Sequence, residues 1–317
     1  MAKNKFTNKG SLFVAIAAIL WSFDGVLRRG LYTLPPTIVV FFEHLLGAVI
    51  LLFAVKKWLP EVKTLDKKGW IAISAVALFS GALGTIFYTA ALGQINYIQF
   101  SVVVLLQQLQ PIWAVSAAIL LLKEHVSKRF YIWAGVALVG AYIVAFRDLE
   151  VNIQEGMGTI IAAFLALGAG LMWGTSTAIS KYVLLKLSFL AATALRFILT
   201  SMFSLIIVLV LGQTSQLTTV TPDQWQSLLL ITFTTGMVSL LIYYYGLKRI
   251  PAHVSTIIEL LFPLSAIVID YVYFQNPLST TQIIGSIILL FAIYNVVKLK
   301  NETKNITSKQ SKSSHNS

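Results

Sequence analysis

The sequence predicts an all-α polytopic membrane protein, with ten transmembrane helices arranged as two inverted five-helix repeats and both termini in the cytoplasm. Three observations predict it. Of the 317 residues, 57% are hydrophobic and only 11% charged, where a soluble domain is nearer a quarter charged. Ten long apolar runs divide the chain. Lys and Arg then alternate between the gaps, which hold 3, 2, 5, 0, 3, 1, 2, 0, 2, 0 and 5 from the N-terminus to the C-terminus. The odd-numbered gaps hold twenty, the even-numbered ones only Arg28, Arg29 and Arg147, and the remaining basic residue, Arg196, lies inside a run. Translocating Lys and Arg is disfavoured, so basic loops stay in the cytoplasm and ten spans bring both ends inside.

The spans are expected at 11–28, 36–55, 69–92, 97–122, 129–146, 157–180, 188–212, 225–247, 252–274 and 279–298. Each is near the ~20 residues that cross ~30 Å of hydrocarbon as a helix. A closed barrel would instead show alternating segments of ~10 residues, which are absent. Span 1 follows a basic stretch, as a signal peptide would, but continues into Trp21 and Asp24 without a small-residue cleavage site; it is read as a retained helix. Residues 1–10 form a cytoplasmic N-terminus, 11–146 the first repeat, 157–298 the second and 299–317 a disordered cytoplasmic tail. The longest loop, 56–68, has no room for a soluble domain. The tail carries the sequons at Asn301 and Asn305, which a cytoplasmic location keeps unglycosylated.

Composition excludes several classes. Net charge is +12, but its carriers sit in short loops beside apolar runs, so no basic groove for nucleic acid forms. There is no cysteine, hence no disulfide and no thiolate metal site. No Gly-rich loop ends in Gly-Lys-Ser/Thr, so no nucleotide-driven pump is encoded. No cluster has metal-ligand spacing, and no Ser, His and Asp set shares one depth. The chain is expected not to be an enzyme and to need no cofactor and no metal. His125 and His253 are read as solvated.

The halves repeat at a shift of about 150 residues. Leu20-Trp21-Ser22 matches Met172-Trp173-Gly174, and Tyr88 with Ala91-Leu92 matches Tyr243 with Gly246-Leu247. Gln110-Pro111-Ile112 matches Phe262-Pro263-Leu264, and Gly135-Val136-Ala137-Leu138 matches Gly285-Ser286-Ile287-Ile288. Five spans per copy is odd, so the second copy enters the membrane in the opposite sense. Inverted repeats mark secondary transporters, whose substrate site lies near the midplane between the halves.

These residues carry a resemblance. The Trp pairs of spans 1 and 6, the Ala-Leu ending of span 3, the mid-helix Pro of spans 4 and 9, Leu122-Lys123-Glu124 and Leu195-Arg196-Phe197 resemble the EamA-type branch of the drug/metabolite transporter superfamily, over about 11–298. The resemblance implies a ten-helix bundle that moves small metabolites, often amino acids or related compounds, usually outward. Two departures stand out. Phe274-Gln275-Asn276 replaces a second Leu-x-Glu after span 9, and Phe42-Glu43-His44 stands where the second copy has Leu195-Arg196-Phe197.

A charged side chain at bilayer depth costs at least ~2.5 kcal/mol on insertion scales, so each needs a reason: Asp24, Glu43, His44, Arg196, Glu259 and Asp270. Glu43 lies eight residues past Pro35, and Arg196 eight past Ser188. At ~1.5 Å per residue each is ~12 Å from its own surface, and the two bracket the midplane about 6 Å apart in depth. A zwitterionic substrate would find both charges there; a structural Glu–Arg or Glu–His pair is the other reading. Glu259, Pro263 and Asp270 share one face of span 9. Pro263 frees a carbonyl and bends its helix, as does Pro111 beside Gln107, Gln108 and Gln110, which suits a cavity wall. Glu259 is read as a substrate or proton carrier, or as an internally hydrogen-bonded acid, and Asp270 as a solvated rim residue. Asp24 and Arg28, four apart near the outer surface, are read as a helix-face ion pair. Trp21 and Trp173 either floor a cavity or pack. One or two of Tyr243, Tyr244 and Tyr245 line the cavity. Gly170 and Gly174 are read as close helix packing.

The expected function is secondary transport of a small polar, amino-acid-like metabolite by alternating access, in the export direction. The expected substrate-binding residues are Trp21, Glu43, His44, Tyr88, Gln107, Trp173, Arg196, Tyr243 and Glu259, with Glu43 and Glu259 as candidates for proton coupling. An importer or exchanger of nucleotide-type or other anionic metabolites stays open, and further off a channel or membrane enzyme. The expected partners are a small-molecule substrate and the lipid bilayer of the cell (inner or plasma) membrane, with no nucleic acid; a homodimer stays open.

Overall fold

The computed structural model describes residues 2–94, 103, 106–107, 109–150, 157–275 and 277–313. Among these residues every regular element is a helix. The first half contains α1 (Ala2–Trp21), α2 (Asp24–Leu27), α3 (Pro36–Leu52), α4 (Val55–Lys63), α5 (Lys67–Val76), α6 (Gly84–Gly93), α7 (Gln110–Leu122) and α8 (Lys128–Ala145). The second contains α9 (Met157–Lys186), α10 (Phe189–Val210), α11 (Pro222–Ile231), α12 (Met237–Leu247), α13 (Ala252–Ile258), α14 (Leu261–Phe274) and α15 (Thr280–Ser313).

Among the described residues, eight stretches are long and apolar enough to cross a bilayer. Span 2 differs from its expected 36–55. Its helix stops at Leu52, and the chain turns by 97° into α4, through residues expected to be loop. The buried Trp58 fixes the turn by donating from Nε1 to Leu51 O at 2.9 Å. Span 4 is described as the helix Gln110–Leu122, with Pro111 in its first turn, where the missing N–H costs nothing. Most of its earlier part, including Gln108, lies outside the described residues. The final helix continues to Ser313, through residues expected to lack structure.

Local sequence sets the helix starts. Asp66, Ser127, Ser188 and Thr221 each accept a hydrogen bond from a backbone N–H three residues on, satisfying donors that lipid could not. Large apolar side chains face outward, among them Phe53 at 90% exposure, Val210 at 79% and Leu120 at 76%. Buried positions meanwhile include Asp24, Arg28, Glu43, His44 and Glu259. Apolar outside and charged inside inverts the soluble pattern and suits a lipid solvent.

The duplication is visible in the packing. Span 3 contains a π-helical segment at Ala77–Leu83 and span 8 one at Thr232–Gly236, their repeat-related positions. α1 packs on α12 as α9 packs on α6, while α3 pairs with α10 and α8 with α15. Gly170 and Gly174 let α9 approach span 4. A Cβ on Gly174 would lie 2.6 Å from Gln110 O, and one on Gly170 2.9 Å from Gln107 O. That close approach carries both glutamines to the centre of the bundle.

Candidate functional site

At the centre lies a cavity of about 150 Å³. All nine residues expected at the site line it: Trp21, Glu43, His44, Tyr88, Gln107, Trp173, Arg196, Tyr243 and Glu259. Both repeats supply walls.

The aromatic walls are mirror images. Trp21 meets Tyr243 with ring centroids 5.0 Å apart, and Trp173 meets Tyr88 at 5.2 Å; both pairs are tilted by 54°. A shift of 152 residues relates Trp21 to Trp173 (173 − 21) and Gln107 to Glu259 (259 − 107). Each repeat thus contributes one Trp, one Tyr and one polar side chain of similar size, and each Trp–Tyr pair joins the two repeats. Of the three consecutive tyrosines, Tyr243 lines the cavity. Tyr244 is buried behind it, and Tyr245 packs on Phe13 and Phe189.

The charges are arranged differently from the expectation. Glu43 does not pair with Arg196 or with the neighbouring His44; it accepts from Arg28 Nη2 at 2.8 Å. Arg28 also donates to Asp24 and, at 3.4 Å, to Thr89 Oγ1. Asp24 in turn accepts from Thr235 Oγ1 at 2.6 Å. The expected pair of Asp24 and Arg28 therefore exists, but as a buried network joining spans 1, 2, 3 and 8 rather than a pair on a helix face near the surface. Helical spacing could place Arg28 beside Asp24; it could not place Glu43 or Thr235, which arrive from other helices. Arg196 donates to Tyr244 Oη at 3.0 Å and Ser80 Oγ at 2.8 Å. Its Nε is buried without a partner. His44 donates to Val40 O at 2.9 Å and stacks on Phe197 at 4.8 Å.

Glu259 sits in the break between α13 and α14, one turn before Pro263. Its Oε1 accepts from Tyr243 Oη at 2.8 Å and Ser255 Oγ at 3.0 Å; its Oε2 accepts from Gln110 Nε2 at 2.8 Å. Glu259 is internally hydrogen-bonded and lines the cavity. Gln110, Ser80, Ser176 and Thr235 were not among the expected residues. For Gln110 the adjoining Pro111 was a signal; the small hydroxyl residues carry none in a helix sequence. The side chain of Asp270 lies outside the described residues.

Away from the cavity, Glu124 closes the joint between spans 4 and 9. Lys123 adopts a left-handed φ of 53°, which turns Glu124 back onto the start of α13. Its carboxylate accepts from Ala252 N at 2.9 Å, from His253 N at 3.2 Å and from His253 Nδ1. Burial pushes the Glu124 carboxyl up, but the His253 side chain and the two backbone N–H groups outweigh it and hold it below the usual carboxylate range. His253, expected to be solvated, is instead this acid's partner, because the loop delivers a carboxylate to a helix N-terminus that needs acceptors.

The chain matches the EamA-like transporter family twice, over residues 8–146 and 160–298. It is 36% identical to the riboflavin transporter ImpX of Fusobacterium nucleatum, across 92% of this chain and 98% of that protein. An uncharacterized transporter of Synechocystis is 26% identical across 77% of this chain and 70% of its own length. A protein of known crystal structure superposes with a TM-score of 0.74 at 14% identity, covering 93% of this chain and 99% of that one; this likeness concerns the fold. The chain belongs to the EamA-like transporter family. It is a multi-pass membrane transporter of the drug/metabolite type and not an enzyme.

Proposed function

We propose that this transporter carries riboflavin, or a closely related flavin, through the central cavity by alternating access. The observation that carries the reading is the pair of mirrored Trp–Tyr walls around a cavity with no excess of positive charge. A planar, neutral ring system suits aromatic faces. Three carboxyl groups, Asp24, Glu43 and Glu259, line the same space as two guanidiniums, Arg28 and Arg196, which disfavours a phosphorylated or nucleotide-type ligand. The amino-acid-like substrate is also less favoured. Glu43 already accepts from Arg28, so the carboxylate meant for an ammonium group is occupied. The name of the Fusobacterium nucleatum relative points the same way.

In this reading ten spans cross the cell membrane with both termini inside, and the two repeats are inverted, so rocking of one against the other opens the site to either face. The ligand gradient sets the direction, and export follows when the flavin is in excess inside. Glu259 is the candidate for proton coupling, because it lines the cavity and is held by neutral donors. Glu43 is the weaker candidate.

Counterflow tests the reading. Purified protein in liposomes loaded with unlabelled riboflavin should accumulate radiolabelled riboflavin in a saturable manner, and should not exchange amino acids or nucleotides. Exchange of an amino acid without exchange of riboflavin would overturn it.

A further inference from the structure

Six buried side-chain polar atoms have no hydrogen-bond partner among the described residues, and four of them belong to residues that line the cavity: Tyr88 Oη, Gln107 Oε1, Ser176 Oγ and Arg196 Nε. Their residues come from spans 3, 4, 6 and 7. Leaving a buried polar group unmatched costs about 1–3 kcal/mol each, so a cluster of four around one space is either strain or an unfilled docking site. The mirrored wall sharpens the choice. There Tyr243 Oη donates to Glu259 Oε1, and Gln110 satisfies the second oxygen. In the repeat-related positions Tyr88 and Gln107 are both unmatched. The same architecture is internally satisfied on one side and open on the other.

Resting on the flavin reading, we propose that this open half-site receives the imide edge of the ring, the carbonyl, N–H, carbonyl sequence of its pyrimidine portion. The chemistry matches in kind. Arg196 Nε, Tyr88 Oη and Ser176 Oγ can donate to carbonyl oxygens, and Gln107 Oε1 can accept the intervening N–H. A charged donor beside a fixed amide acceptor fits an edge of alternating polarity better than a polyol, whose hydroxyls are interchangeable. Trp173, packed on Tyr88, offers a face to the ring. The ribityl chain then points toward the satisfied half, where Trp21 and Tyr243 stand.

The test is competition in riboflavin counterflow with two analogues. Lumichrome keeps the imide edge and lacks the ribityl chain; N3-methylriboflavin keeps the chain and blocks the edge. Lumichrome should compete within about threefold of riboflavin, and N3-methylriboflavin should be at least about tenfold weaker. Gln107→Leu should weaken riboflavin itself and bring its ratio to the N3-methyl analogue close to one; Tyr88→Phe, which removes a single hydroxyl, should narrow the same ratio. If N3-methylriboflavin competes as well as riboflavin, or lumichrome does not compete, the edge assignment is wrong while the flavin reading stands. A Gln107→Leu protein that folds and keeps the wild-type ratio overturns it equally, and if that variant does not fold, the analogue ratio in the wild type decides alone. Absence of any riboflavin exchange overturns the flavin reading itself, and this inference with it.

Discussion

Two arginines face the same cavity under opposite conditions. Arg28, from the first repeat, is clamped by Asp24, Glu43 and Thr89. Among the described residues Arg196, from the second, donates to the hydroxyls of Tyr244 and Ser80 and keeps Nε unmatched. A guanidinium with two carboxylates is a joint: it ties spans 1 and 2 together and has little left to offer a ligand. A guanidinium supported by neutral hydroxyls is oriented but not neutralised, which is the state a binding group needs. Duplication supplied two equivalent scaffolds, and the side chains placed on them make Arg28 a joint and, in the proposed reading, leave Arg196 for recognition.

The largest expected effect tests the joint. Arg28→Ala leaves two carboxyls buried without their cation, and breaking a buried pair from one side costs about 3–5 kcal/mol. The thermal midpoint in detergent should fall by about 5–8 °C. A midpoint equal to wild type would erase the contrast, since Arg28 would then carry no structural load. Arg196→Ala should do the reverse, moving the midpoint by no more than about 3 °C while lowering riboflavin exchange at least about tenfold. Arg196→Lys should recover only part of the exchange, because a point charge cannot reproduce the guanidinium's planar fork. Normal exchange in Arg196→Ala would make both arginines structural.

A smaller effect is expected where the mirrored walls differ. Glu259→Gln should reduce exchange several-fold at nearly unchanged stability, and Tyr243→Phe less, since Ser255 and Gln110 remain to hold the acid. Equal loss in Tyr243→Phe and Tyr88→Phe would argue that the two walls act alike.

The smallest effect lies outside the cavity, at the Glu124 joint. An acid held below its usual value of 4.5 contributes stability that is present above that value and is lost as pH falls through the lower, folded value. The wild-type midpoint should therefore drop more steeply than that of Glu124→Gln below about pH 4.5, and the two should converge in acid. A constant offset at every pH would remove the carboxylate from the account.

Much of this was legible in the sequence because it depends on solvent and on local geometry. Long apolar runs in lipid have to be helices, and the span boundaries came within a few residues of the helix ends at most positions. The nine expected site residues line the cavity; among them the intramembrane charges stand out because they are expensive in hydrocarbon, and the mid-helix Trp residues because they lie too deep for an interfacial belt. The turn into α4 was not legible, because it depends on Trp58 finding the carbonyl of Leu51. The partner of Glu43 was misjudged because depth along a helix was taken to decide pairing, and the facing helix decides it.

The sequence by itself determined a duplicated bundle of membrane helices and the identities of the costly residues at its centre, since the hydrophobic effect and backbone hydrogen bonding act on each segment separately. Only the tertiary structure decided which charge meets which. Asp24 and Arg28, Glu43, Thr89 and Thr235 converge from four spans, and Arg196 is left facing hydroxyls, because pairing depends on the close approach of helix faces far apart in the chain. Electrostatics and hydrogen bonding fall off over a few ångströms, so the same residues could have formed a different network in a differently packed bundle.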